Sequence, residues 1–129
     1  MFPAPIVLVV EDDEDIRDCV QDLLEGAGYD VIPASNGKQA LDYLYAGPPP
    51  AVILLDLMMP LVSGWEFMRA VKRDAQLSSI PIVLTTAVGR DRPPGVNVIL
   101  KKPFRIADLL DAVLLFAGPT QPTATAGPR

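Results

Sequence analysis

Ile6-Val7-Leu8-Val9-Val10-Glu11-Asp12-Asp13-Glu14-Asp15-Ile16 is the stretch that decides the fold. Its first five residues are apolar and mostly β-branched, with no polar alternation, which suits a strand covered on both faces in a parallel sheet. The period then changes. Ile16, Val20, Leu23, Leu24 and Ala27 recur at helical spacing, while Glu14, Asp15, Asp18, Asp22 and Glu25 gather on the opposite side, so an amphipathic helix follows the strand. Gly26 and Gly28 mark its C-terminal stop. The acidic stripe reads as a solvated face, with steering of a partner as the sharper alternative.

Outward from this unit the alternation repeats. Ala51 to Leu55, Ile80 to Leu84 and Val96 to Leu100 read as further strands, and Asp30 to Ala34 as a weaker one at an edge, because Pro33 cannot donate to a ladder. Asn36 to Tyr45, Gly64 to about Arg73, and Ile106 to Phe116 carry helical periods, the last expected to bury Leu109, Leu110, Val113 and Leu114. Strand–helix alternation predicts an open doubly wound α/β sheet with right-handed crossovers. Ligands in such sheets sit beyond the carboxyl ends of the strands. The residues there are Glu11-Asp12-Asp13, Asp56, Thr86-Ala87 and Lys102-Pro103: carboxylates, a hydroxyl and an ammonium drawn to one edge.

Composition narrows the function. The 129 residues carry 16 acidic and 11 basic side chains, a formal charge of −5, and half of them are apolar. That suits a single domain with one core and speaks against a direct nucleic-acid binder. With no histidine, imidazole bases and Ser-His-Asp chemistry are excluded; Cys19 alone makes no disulfide or zinc cluster and fits a reducing cytoplasm. No apolar run approaches the roughly 18 residues of a membrane span. The 14 prolines cluster where the chain must turn, as at Pro48-Pro49-Pro50 and Pro93-Pro94. The sequence from Gly118 to Arg129 has little to bury and reads as a mobile tail, a linker with no domain after it, so the expected boundaries are 1–117 and 118–129.

Four stretches, Val7-Leu8-Val9-Val10-Glu11-Asp12-Asp13, Leu55-Asp56-Leu57-Met58-Met59-Pro60-Leu61-Val62-Ser63-Gly64, Pro81-Ile82-Val83-Leu84-Thr85-Thr86-Ala87 and Lys101-Lys102-Pro103-Phe104, together resemble the receiver domain of two-component response regulators. The resemblance covers about residues 5 to 117. It implies a flavodoxin-like five-stranded parallel sheet in the order 2-1-3-4-5. It further implies a stand-alone signalling module that accepts a phosphoryl group on Asp56 from a histidine kinase or histidine phosphotransfer protein and acts on a downstream protein target. Such a module is not a conventional enzyme, though it catalyses its own phosphorylation and dephosphorylation.

By the same resemblance, Mg²⁺ (or Mn²⁺) is held by Asp12, Asp56 and the backbone carbonyl of Met58, with Glu11 helping through water; hard oxygen donors of this kind suit the cation. Lys102 and the Thr86 hydroxyl serve phosphoryl oxygens, Ala87 leaves a path to Asp56, and Lys102-Pro103 matches a cis peptide. Asp13 either joins the acidic set or caps the first helix, where an N-cap is needed. Trp65 is expected beside the site and partly exposed. Two departures stand out. Residues 88 to 95, Val-Gly-Arg-Asp-Arg-Pro-Pro-Gly, are too few and too rich in glycine and proline for an ordinary crossover helix, so the family's fourth helix is expected to be shortened or missing. Ile99 stands where many members carry an aromatic switch residue.

Met58 and Val88, at positions that flank the pocket and tune hydrolysis in the family, are apolar and orient no water, so dephosphorylation is expected to be slow. Two rival readings are a phosphorylation-independent interaction module with a relic pocket and an aspartyl phosphatase. The second would place Asp-x-Asp after the first strand, whereas the nucleophile candidate here lies on the third.

Overall fold

Strands that are apolar on both faces fold only if helices cover both. In the computed structural model, which describes residues 4–57, 63–87 and 95–120, the chain runs β1 (Ile6–Val10), α1 (Glu14–Gly26), β2 (Asp30–Ala34), α2 (Gly37–Ala46), β3 (Val52–Asp56), α3 (Gly64–Arg73), β4 (Ile82–Thr86), β5 (Val98–Lys101) and α4 (Ile106–Ala117). All strand pairs are parallel, in the order β2-β1-β3-β4-β5. The β2 edge carries Pro33, as its missing N–H requires. This is the doubly wound, flavodoxin-like sheet that the sequence predicts.

The pleat divides the core in two. Leu8, Val10, Ile53, Leu55, Ile82 and Leu84 pack with Ala40 and Leu44 of α2 and with Phe67, Met68 and Val71 of α3. Val7, Val9, Val52, Leu54, Val83 and Leu100 pack with Val20 and Leu24 of α1 and with Leu109, Ala112 and Val113 of α4. A fully buried side chain of this size contributes roughly 1.5–3 kcal/mol, so the central strands β1 and β3 anchor the residues that follow them.

Helix termini are set by local hydrogen bonds. Asp13 caps α1 by accepting from the Ile16 amide at 3.0 Å, which decides between its two sequence readings in favour of the cap. At the other end of α1, Tyr29 N–H donates to Leu24 C=O and Gly28 N–H to Glu25 C=O, a Schellman closure with Gly28 at φ +100. Gly26 is simply the last helical residue, so only one of the two expected stop glycines does that job.

Two strand starts and one expected core position also differ from expectation. The run beginning at Ile80 enters β4 only at Ile82, because Ile80 plugs the core from the preceding loop. The strand expected from Val96 starts at Val98; Asn97 extends the ladder before it, its amide donating to Ile82 C=O and its side-chain oxygen accepting from Ile82 N–H, both at 2.9 Å. Leu114 is 47% exposed rather than buried, Ala112 taking the core position beside Leu109 and Val113.

The described residues hold four helices, none between β4 and β5, in keeping with the expected shortening of the family's fourth. Residues 88–94 of that connection lie outside the described residues. Ala117 closes α4 where the domain boundary is expected, yet the next three residues are tied down. The Tyr29 hydroxyl donates to Gly118 C=O and the Thr120 hydroxyl to Ala27 C=O, each at 2.9 Å, because polar partners at the α1–β2 turn meet the chain as it leaves α4. The remainder of the expected tail, 121–129, lies outside the described residues.

Candidate functional site

Each site residue stands at or just past a strand's carboxyl end. Glu11 and Asp12 follow β1, Asp56 is the last residue of β3, Thr86 the last of β4, and Lys102 follows β5. Carboxylate oxygens of Glu11, Asp12 and Asp56 lie within 4.8 Å of one another. Glu11 and Asp56 are buried, 4% and 6% exposed, while Asp12 is exposed. Three anionic oxygen donors at this spacing, open to solvent on one side, fit a hard divalent cation that keeps several waters. Asp13 stays outside the trio as the cap of α1.

Lys102 pairs with two of the trio. Its ammonium donates to Glu11 Oε1 at 2.7 Å and lies 3.6 Å from Asp56 Oδ2. Burial alone would lower the pKa of this lysine; the hydrogen bond and charge of Glu11, with the charge of Asp56, outweigh that and hold it above the ordinary lysine value. Lys101, one residue earlier, ends β5 with an exposed side chain, so geometry selects Lys102. The Lys102 amide donates to Thr86 C=O at 2.7 Å, and the Lys102–Pro103 peptide is cis as expected.

Thr85, not Thr86, lies abreast of Asp56 in the ladder. Its buried hydroxyl donates to Leu55 C=O at 3.4 Å. Thr86, one residue further on, is on the other side of the pleat and 2% exposed. Ile99 lies opposite Leu84 and packs, partly buried, on the α2–α3 side of the core. Ala87 lines an open groove of about 420 Å³ with Ile16, Lys102, Pro103 and Phe104. Trp65, in the first turn of α3, is 45% exposed. Met58 and Val88 lie outside the described residues.

Two residues have roles that the sequence reading did not assign. Gly64 opens α3 against the end of β3: a Cβ there would sit 2.6 Å from Leu57 O and 2.9 Å from Asp56 O, and its amide donates to Leu57 C=O at 3.1 Å. Only glycine permits that approach. Its signal was present in Ser63-Gly64-Trp65-Glu66, whose serine and glutamate form a capping box. The second is Arg17, whose Nη1 donates to Glu11 C=O at 2.9 Å; a lone basic residue on an acidic helix face gives no periodic signal.

Known proteins resemble this arrangement. The family model for the response regulator receiver domain matches residues 7–114. The polar-differentiation response regulator DivK of Brucella anthropi is 33% identical over 118 residues, covering 87% of this chain and 95% of DivK. Response regulator Rre1 of Synechocystis is 37% identical over 115 residues, covering 84% of this chain and 49% of Rre1. The chain thus spans about half the length of Rre1 and nearly all of DivK.

Among solved structures, Vibrio cholerae chemotaxis protein CheY4 superposes with a TM-score of 0.78 at 31% identity, over 88% of this chain and 98% of that one. The receiver domain of a Pseudomonas aeruginosa sensor histidine kinase, solved with a magnesium ion coordinated in the active site cleft, superposes with a TM-score of 0.81 at 26% identity, over 89% and 98%. A family model that matches from β1 into α4, a relative 33% identical over nearly its whole length and a solved structure of the same fold lead to one assignment: the chain belongs to the response regulator receiver domains of two-component systems.

Proposed function

We propose that this domain accepts a phosphoryl group on Asp56 from the phosphohistidine of a sensor histidine kinase or a histidine phosphotransfer protein. An Asp56 carboxylate oxygen attacks phosphorus, the phosphorus–nitrogen bond breaks, and a proton from solvent restores the leaving imidazole. The product is an aspartyl phosphate, a covalent intermediate that later yields to water. The observation that carries this reading is the setting of Asp56: buried at the end of a central strand, 3.6 Å from the Lys102 ammonium and within a trio of carboxylates.

Glu11, Asp12, Asp56 and the Met58 carbonyl are the groups we assign to Mg²⁺ or Mn²⁺. When bound, the cation supplies positive charge that neutralises the phosphoryl oxygens and the crowded carboxylates. Lys102 offers a second positive charge once Glu11 is otherwise engaged, and we assign the Thr86 hydroxyl to another phosphoryl oxygen. We assign the small Ala87, which lines a groove beside Lys102, to leaving a path to Asp56. With Ile99 in the switch position, coupling to a downstream protein proceeds here without an aromatic rotation. We place the exchange in the cytoplasm, where the exposed thiol of Cys19 stays reduced.

The test is labelling by acetyl phosphate with Mg²⁺, read as intact mass. The native protein gains one phosphoryl group and Asp56→Asn gains none, because an amide is not a usable nucleophile. Equal labelling of both would remove Asp56 from its role; labelling of neither would leave an interaction module with an unused pocket.

A further inference from the structure

We propose that Arg17 is a positioning residue for the cation site, holding the peptide plane from which Asp12 projects. This rests on the reading of Glu11, Asp12 and Asp56 as cation-holding carboxylates. Two of the three are fixed by other means. Asp56 ends a buried strand, and the Glu11 carboxylate is held by the Asp13 amide at 3.1 Å and by Lys102 at 2.7 Å. Asp12 is the exposed member and lies in the turn between β1 and α1. Its backbone nitrogen shares a rigid peptide plane with the Glu11 carbonyl, and that carbonyl is the group to which Arg17 Nη1 donates at 2.9 Å.

Both ends of the linkage are anchored. The Glu11 amide donates to Ala34 C=O at 3.0 Å and the Arg17 amide to Asp13 C=O at 2.9 Å, closing the first turn of α1. The guanidinium therefore reaches back across the turn from a fixed Cα and sets the tilt of the Glu11–Asp12 peptide. A bond to a ligand's own backbone acts as outer-shell support does, and loss of such support typically weakens metal affinity about 10–100-fold.

Charge alone predicts the opposite sign. A guanidinium bonded to the Glu11 backbone adds positive charge on the approach to the carboxylates and repels a divalent cation, so removing it would tighten binding if electrostatics were its whole effect. The two roles therefore separate in one measurement.

Calorimetric Mg²⁺ titration of the full chain compares the native protein, Arg17→Met, Arg17→Lys and Asp12→Ala, with the unfolding midpoint recorded for each. Methionine keeps the stem and the helix propensity, so the fold is retained. Arg17→Met is expected to weaken Mg²⁺ affinity about tenfold, and Arg17→Lys, which restores a donor, to recover part of the loss. Affinity in Arg17→Met equal to or tighter than native overturns the positioning role. If Asp12→Ala leaves the native affinity unchanged, the cation-site reading itself fails and the inference falls with it.

Discussion

At the scale of single residues, the account turns on Lys102, which holds Glu11 at 2.7 Å. Removing it strands a buried carboxylate, at a cost of about 1.5–3 kcal/mol for a lost charged hydrogen bond. Lys102→Ala is therefore expected to unfold at lower temperature than native without Mg²⁺, and to recover part of the loss when Mg²⁺ is added, because a cation can neutralise the same carboxylate. A thermal shift measured in both conditions checks this; an equal loss in both would mean that the lysine and the cation serve different groups. The pH sign follows from the raised pKa of Lys102. Its pair contributes fully below the unfolded lysine value and fades as pH rises through the higher folded value. The stability difference between native and Lys102→Ala should accordingly persist at neutral pH and shrink as pH rises into strong alkali. The sequence displayed the charges of this site but not their pairing. Glu11 and Lys102 are 91 residues apart, joined only because β1 and β5 end at the same edge.

At the scale of elements, the α1–β2 turn and the exit of α4 form one unit. Gly28 has φ +100, and a Cβ there would meet the Thr120 side chain at 2.9 Å. Gly28→Ala is expected to destabilise by about 1 kcal/mol or more, since both backbone and neighbour resist it. Tyr29→Phe, which removes the donor to Gly118 C=O, should cost roughly 1 kcal/mol. Denaturant unfolding checks both; no loss in either variant would detach residues 118–120 from the fold. Element type and order were legible because unbroken apolar runs and helical periods are strong signals. Strand ends were less so. Ile80 looks like strand residue because it is apolar, yet its apolar surface is used from a loop. Leu114 fits the periodic stripe of α4 but falls on its exposed side, since α4 is apolar on more than one face. The docking of Gly118 to Thr120 gave no periodic or compositional signal, being made by one tyrosine and one threonine hydroxyl.

At the scale of the whole molecule, the ends of four strands from distant parts of the chain, β1, β3, β4 and β5, build one acidic edge, and the lifetime of the proposed aspartyl phosphate would be set there. We propose that Met58 and Val88, which are apolar and cannot orient an attacking water by hydrogen bonding, slow its attack, so the label is expected to decay more slowly in the native protein than in a Met58→Asn, Val88→Glu double variant. Decay after donor removal, with Mg²⁺ present, reads this directly, and equal rates would show that these side chains do not gate water.

The central claim is that Asp56, rather than its acidic neighbours, carries the phosphoryl group. Borohydride reduction after exposure to acetyl phosphate and Mg²⁺ converts an acyl phosphate to homoserine, and peptide mass mapping then locates it. The account predicts homoserine at position 56, dependent on both donor and Mg²⁺; homoserine at position 12 or 13, or at none, would contradict it.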